Sequence, residues 1–424
     1  MTPEARAQAA LQYHAEPIAG KIAIHITKPC NTQADLALAY TPGVAEPVRM
    51  IAQDPEAVYR YTAKGNLVAV ITNGTAVLGL GNVGALAAKP VMEGKVILFK
   101  KFADIDCFDI EIGTCNTQDF IDTVVRISPT FGGINLEDIA APACFEIERA
   151  LAQRLDIPVV HDDQHGTALN IAAGLLNALE LQGKRLTNVR IVFLGAGAAA
   201  IASMRLLRTL GVGAEQLLVV DRQGVLHSGR TDLNIYKREF AVETSARTLH
   251  DAMRGADVLI GLSGPHLVTP EAVAGMAAKP VIFALSNPDP EIAPVQVRAV
   301  RADAIIATGR SDYPNQVNNA LGFPYLFRGA LDVRARCIND AMLIAAAQAL
   351  RMVAHEPVPA EVLTAYGLTE LHYGPDYILP KLIDPRLNRI VSAAVAHAAV
   401  MSGVARMPYP AHYPDVEVWQ GAPG

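Results

Sequence analysis

The chain has 424 residues, enough for two or three domains, and a hydrophobic fraction of 51% supports large cores and argues against disorder. A formal net charge of −6 offers no basic footprint for nucleic acid, and the N-terminal "MTPEARAQAALQYHAEP" lacks the basic and apolar blocks of a secretory signal. The uncharged spans 65–88 and 390–405 are respectively too broken by glycine and asparagine and too short to cross a membrane. Five cysteines without a CxxC pair read as reduced thiols, which predicts a cytoplasmic protein.

In chain order, residues 1–165 mix predicted strands ("LVAVIT", "KVILFKKFA", "CFDIEI", "IPVVHDD") with a predicted helix, "CFEIERALAQRL". A helix over "TALNIAAGLLNALEL" then leads to a linker, "GKRLTN". From Val189 the short apolar runs "RIVFLG", "LLVVD", "DVLIGLS", "PVIFALSN" and "AIIAT" alternate with helical segments. That alternation implies a parallel sheet covered on both faces. Beyond Arg328 the pattern is mainly helical. The fold class is therefore α/β: an N-terminal α/β domain (1–165), a Rossmann-like doubly wound domain (166–328) and a helical segment (329–424) packing on both.

Two glycine motifs compete for a dinucleotide. "GLGNVG" (Gly79, Gly81, Gly84) matches GxGxxG by letter, but Pro90 leaves barely a turn and a half of helix after it. It reads as a tight turn packing on a neighbour. "GAGAAA" (Gly195, Ala196, Gly197, Ala198, Ala199, Ala200) follows a strand, opens a clean helix, and is followed by a second strand ending in Asp221. A pyrophosphate needs that strand–turn–helix context, so this motif is assigned the cofactor.

"HDDQH" (161–165) has the letters of a two-histidine zinc helix. The β-branched run before it and Gly166 after it predict instead a strand ending at His161–Asp163, a turn, and a helix from Thr167. The acids Asp162 and Asp163 then end a buried strand, about 25 residues after Glu137 and Asp138 in "GGINLEDI". Each pair alone is accounted for by a helix start or a surface turn. Together, buried acids need a cation or another partner, and all-oxygen ligation favours Mg²⁺ or Mn²⁺ over zinc.

These residues carry a resemblance to the bacterial malic enzymes. "LALAYTPGVAEP", "GTAVLGLGNVG", "MEGKVILFKKFADID", "GGINLEDI", "VVHDDQHGTA", "FALSNP" and "TGRSDYPNQVNN" match in order. The C-terminal "YGPDYILPKLIDPRLNRIVSAAVAHAAVMSGVA" also resembles the hybrid forms that continue into a phosphotransacetylase-like domain. The resemblance implies oxidation of L-malate by NAD(P)⁺, loss of CO₂ and protonation of the enol to pyruvate. It implies metal ligation by Glu137, Asp138 and Asp163, Lys95 as base with Asp162 as its partner, and Tyr40 as the acid that protonates the enol. Alternation along a strand would then aim Asp162 and Asp163 to opposite sides, and a nearby dication and desolvation would lower the Lys95 pKa. Asn287 and Asn319 match substrate-binding amides, with Asn318 the neighbour open to confusion and Asn287 also beside the cofactor crevice. Where the large eukaryotic enzymes carry a malate-gripping arginine, this chain has Ala76.

Cofactor choice is divided. Asp221 favours NAD by accepting from the ribose, whereas Arg222 can pair with a 2′-phosphate. The hybrid enzymes it resembles mostly use NADP, so the expectation is NADP preferred and NAD accepted. A homodimer or higher homo-oligomer is the family expectation. The rival classes are an amino-acid dehydrogenase, which needs no carboxylate metal cluster, and a catalytically silent dinucleotide sensor, which needs neither Lys95 nor Tyr40.

Overall fold

The computed structural model describes residues 2–415. Four short helices, α1 (Pro3–Ala15), α2 (Gln33–Ala39), α3 (Ala45–Gln53) and α4 (Val58–Tyr61), lead into the first sheet. No residue of α2 or α3 is buried, and Leu38 and Val48 are 76% and 59% exposed. This segment makes apolar surface that its own chain does not cover.

The first sheet is four parallel strands, β1 (Leu67–Thr72), β2 (Asp106–Glu111), β3 (Gly133–Leu136) and β4 (Val159–His161), in the order β2-β1-β3-β4. Every residue of β1 and β3 is buried, so these strands are unbroken runs rather than alternating ones. Between them run α5 (Ala85–Ala103), α6 (Thr117–Ile127) and α7 (Ala143–Arg154).

Helix α5 corrects two expectations. "KVILFKKFA" is helical rather than a strand, and the helix passes through Pro90 instead of stopping there. An apolar run without alternation does not distinguish a buried strand from a helix. The buried positions Ala88, Met92, Lys95, Val96, Phe99 and Ala103 show the helical period, which puts Lys95 on the inward face. Phe99 packs edge-on to Phe323 and Phe327, with centroids 4.8 Å and 5.3 Å away. Truncating such a ring to alanine costs about 3–5 kcal/mol.

A third correction concerns α8 (Asp162–Gln182), which starts at the first acid of "HDDQH" and runs unbroken through residue 165. There is no turn at Gln164–Gly166. The physical reason is that Asp162 and Asp163 fill the first turn of a helix, where acids complement the N-terminal dipole, and His161 takes the cap position. Near the other end, Asn177 is buried and its amide donates to the carbonyl oxygens of Ile378 (2.9 Å) and Arg351 (3.2 Å).

The second sheet has β5 (Ile191–Leu194), β6 (Leu217–Asp221), β7 (Gly224–Val225), β8 (Val258–Gly261), β9 (Val281–Ala284) and β10 (Ile305–Thr308). Their order is β10-β9-β8-β5-β6-β7, with only β7 antiparallel. Its helices are α9 (Ala198–Thr209), α10 (Ile235–Arg238), α11 (Leu249–Met253), α12 (Pro270–Ala274) and α13 (Pro294–Val300). Then come α14 (Phe323–Asp332), α15 (Asp340–His355), α16 (Ala360–Ala365) and α17 (Arg386–Met401). Helix α8 packs on α9 and α15, and α14 packs on α5 and α17, so one apolar core runs from the first sheet to the second.

Candidate active site

In parallel sheets, ligands collect beyond the carboxyl ends of the strands. The first sheet places its acids there. Beyond β3, Glu137 is anchored by its amide donating to Ile71 (2.9 Å), and the buried Asn135 two residues earlier donates from its amide to Glu137 Oε2 (2.9 Å). Asp138 has a positive φ of 53°, and its amide donates to Asp163 Oδ2 (3.0 Å). Lys95 reaches in from α5, with its Nζ 2.6 Å from Asp162 Oδ2 and 2.8 Å from Glu137 Oε1, and over the Phe323 ring. Asp162 lies over its own first turn because residue 166 is glycine; a Cβ there would sit 1.9 Å from Asp162 Oδ1.

The acids Glu137, Asp138 and Asp163 offer carboxylate oxygens all within 4.8 Å of one another. Burial pushes Glu137 well above the usual carboxylate range; Lys95 opposes this, and the neighbouring Asp162, Asp163 and Asp138 add to it. The centre therefore lacks positive charge, and an all-oxygen donor set suits a hard divalent ion. Burial alone would push Lys95 down, but Asp162 and Glu137 outweigh it and hold the ammonium above its ordinary value. The lowered lysine expected from sequence is thus not a property of these residues by themselves. Asp162 and Asp163 do diverge as expected, one to Lys95 and one to the Asp138 amide, but as successive residues of a helical turn rather than of a strand. Behind them Glu148 of α7 accepts from the His161 amide (2.8 Å) and pairs with His165 (3.0 Å), bracing the start of α8.

The second sheet builds a different cleft. Gly195 follows β5 with φ 113°, and a Cβ there would meet the Leu262 carbonyl at 2.6 Å. Gly195, Ala196 and Gly197 line a cleft of about 570 Å³ together with Asp221, Arg222 and Lys237. Ala198 and Ala199 open α9, and Ala200 is fully buried beneath it. The unfilled turn and open helix N-terminus are what a dinucleotide phosphate requires. Asp221 is gripped by Arg230 (2.8 Å) and Lys237 (2.7 Å). Burial alone would raise Asp221, but these two cations bring it down to about 2.

The structure gathers Lys95, Glu137, Asp138, Asp162 and Asp163 at one place. Asn319 is close by, accepting from Thr167 of α8 (2.9 Å), while the Asn318 side chain is spent on the Ala320 amide (2.9 Å). Asn287 is exposed in the loop after β9, and its carbonyl lies 3.2 Å from where a Cβ on Gly79 would sit. The "GLGNVG" turn thus packs against the second sheet's loop. Tyr40 is not brought to the acids: it ends α2, 74% exposed, without a side-chain hydrogen bond among the described residues. Sequence reasoning missed Asn135, Glu148 and Arg230. Asn135 had a signal, since positions i and i+2 of a strand share a face.

Comparison with known proteins matches residues 19–119 to the family model "Malic enzyme, N-terminal domain" and residues 164–366 to "Malic enzyme, NAD binding domain". An NADP-dependent malic enzyme of Halomonas elongata is 62% identical over 97% of each chain. One of Rhizobium meliloti is 57% identical over 95% of this chain, which spans only 53% of that relative's length. The crystal structure of a malic enzyme from Pyrococcus horikoshii superposes with a TM-score of 0.87 at 44% identity, covering 95% of this chain and 92% of that one.

Proposed function

Because this chain belongs to the malic enzyme family, which oxidatively decarboxylates L-malate to pyruvate and CO₂ with reduction of NAD(P)⁺, we propose that its two clefts divide that reaction as follows. The carrying observation is Lys95 held between Asp162 and Glu137 beside three clustered acids. Glu137, Asp138 and Asp163 would hold Mg²⁺ or Mn²⁺. When bound, that ion supplies the missing positive charge, polarises the malate hydroxyl and steadies the enolate. With Glu137 engaged, the ion's charge would favour the neutral amine of Lys95, which would release its proton to solvent and, held by Asp162, take the malate hydroxyl proton, while NAD(P)⁺ would supply the acceptor for the C2 hydride. The bond from C3 to its carboxylate then breaks, CO₂ leaves, and Tyr40 protonates C3. Asn319, and Asn287 in the loop facing the cofactor crevice, would orient substrate.

Residues 1–165 would carry the catalytic groups, 166–328 the cofactor, and 329–424 the packing helices, of which 416–424 lie outside the described residues. NADP is the preferred cofactor and NAD is accepted. Lys237, with Arg230 shared between Asp221 and Asp232, offsets the Asp221 charge that would repel a 2′-phosphate, and Arg222 lines the same cleft. The working form is a homodimer: the uncovered apolar residues of α2 and α3 need a second copy, and Tyr40 on that segment would serve the partner's cleft. Five free thiols support a cytoplasmic setting, and no helix among the described residues is long and apolar enough to cross a membrane.

The test is NADPH and pyruvate formation from L-malate with Mn²⁺ and with EDTA. Turnover that is unchanged in EDTA would sink the metal assignment.

A further inference from the structure

A second cavity, of about 330 Å³, lies between α7, the first turn of α8, α9 and α15. It stands back to back with the cofactor cleft, separated by Phe145 and Tyr236, whose rings lie 4.3 Å apart and line both spaces. Its volume is at the lower end of the about 300–1,000 Å³ typical of small-molecule sites. None of the reaction's groups lies in it.

Its free polar valences are unequal. The Gln164 side-chain nitrogen is buried at the cavity without a hydrogen-bond partner, on a residue 2% exposed. A buried amide N–H left unmade is costly, so an acceptor is missing there. Arg149 lines the same cavity and has neither an ion pair nor a hydrogen bond among the described residues. The other lining cations are engaged, Arg205 by Glu239 (2.6 Å) and His165 by Glu148 (3.0 Å). Gln164 is a buried donor and Arg149 an exposed one, and a carboxylate satisfies both. The lining also holds apolar groups, Ile338 and Leu343 in addition to the aromatic pair. Asp340, also on the lining and acting electrostatically on His165, sets the limit on charge. It tolerates one negative charge balanced by Arg149 and disfavours a dianion.

We propose that this cavity binds a small monocarboxylate with an apolar body, its carboxylate on Arg149 and Gln164 and its body between the aromatic pair and Leu343. The site is separate from the one that takes malate.

Benzoate serves as the probe in calorimetric titration of the full-length chain, with phenyl phosphate as the dianion and benzamidine as the cation. The expected result is one benzoate site per chain, weaker binding of phenyl phosphate, and none of benzamidine. Arg149→Gln should weaken benzoate at least about tenfold, the loss of one charge-assisted hydrogen bond, with malate turnover unchanged. Ala152→Phe, which fills the cavity from an exposed position of α7, should also abolish binding. Benzoate binding that survives both substitutions, that benzamidine matches, or that malate displaces completely would overturn the proposal.

Discussion

At the carboxyl edge of the four-stranded sheet, four carboxylates gather near one lysine; at the same edge of the six-stranded sheet, Asp221 and Asp232 are outnumbered by Arg222, Arg230 and Lys237. The backbone plan is shared: parallel strands, short loops, a helix start aimed at the cleft. The charge balance is opposite. Uncompensated charge out of water is costly, so the first edge suits a cation and the second an anion. The difference teaches that a parallel sheet fixes where a ligand goes, while the local sum of charges decides what kind.

The largest way to break the contrast is at the lysine proposed as the base. Lys95→Ala should lower malate turnover roughly 10²–10⁴-fold, the usual worth of a positioned acid–base group, and remove the first-turnover burst of NADPH. Tyr40→Phe should keep that burst and slow pyruvate release, because it lacks only the later proton. Rapid-quench measurement of both products decides; equal loss of the burst in both variants would merge the two roles.

A smaller effect is expected at the second edge. Lys237→Ala strips one cation from Asp221 and should lower kcat/KM for NADP about tenfold relative to NAD, the scale of one charge-assisted hydrogen bond. Arg222→Ala should move the ratio in the same direction. A ratio unmoved by either substitution would return Asp221 to its reading as an NAD-selecting acid.

The smallest effect is on stability. The Asp221 carboxyl is brought down to about 2 in the fold, against about 4 for an unperturbed aspartate. Its contribution is therefore fully present above about pH 4 and is lost as pH falls toward 2. Urea unfolding of Asp221→Asn should show a shallower decline in stability over that interval than the parent chain. An identical decline in both would mean that the ion pairs persist in the unfolded chain.

Much of this was legible because it is local. The strand, glycine turn and helix around Gly195 follow from short-range rules, and so does the pairing of acids in "GGINLEDI" and "VVHDD". What failed depended on context. "KVILFKKFA" carries no alternation, so only packing against Phe323 and Phe327 decides that it is a helix. Gly166 signalled a turn, yet it is a helical position kept free of a Cβ for Asp162. Arg230 lies nine residues beyond Asp221 across a two-stranded turn that no periodicity announces. Tyr40 was found by resemblance alone, and its exposure could not be read from one chain's sequence.

Helix α8 has a mechanical consequence. At 21 residues it is a rod about 30 Å long, with Asp162 and Asp163 at one tip and Asn177 clamped toward the other. Such a rod is a lever. A tilt of two degrees about Asn177, about 22 Å away, sweeps the acid-bearing tip through about 0.8 Å, more than the roughly half-ångström tolerance of a working site. The aim of Asp162 and Asp163 is therefore set partly by how firmly Ile378 and Arg351 hold a buried amide at the other end of the helix.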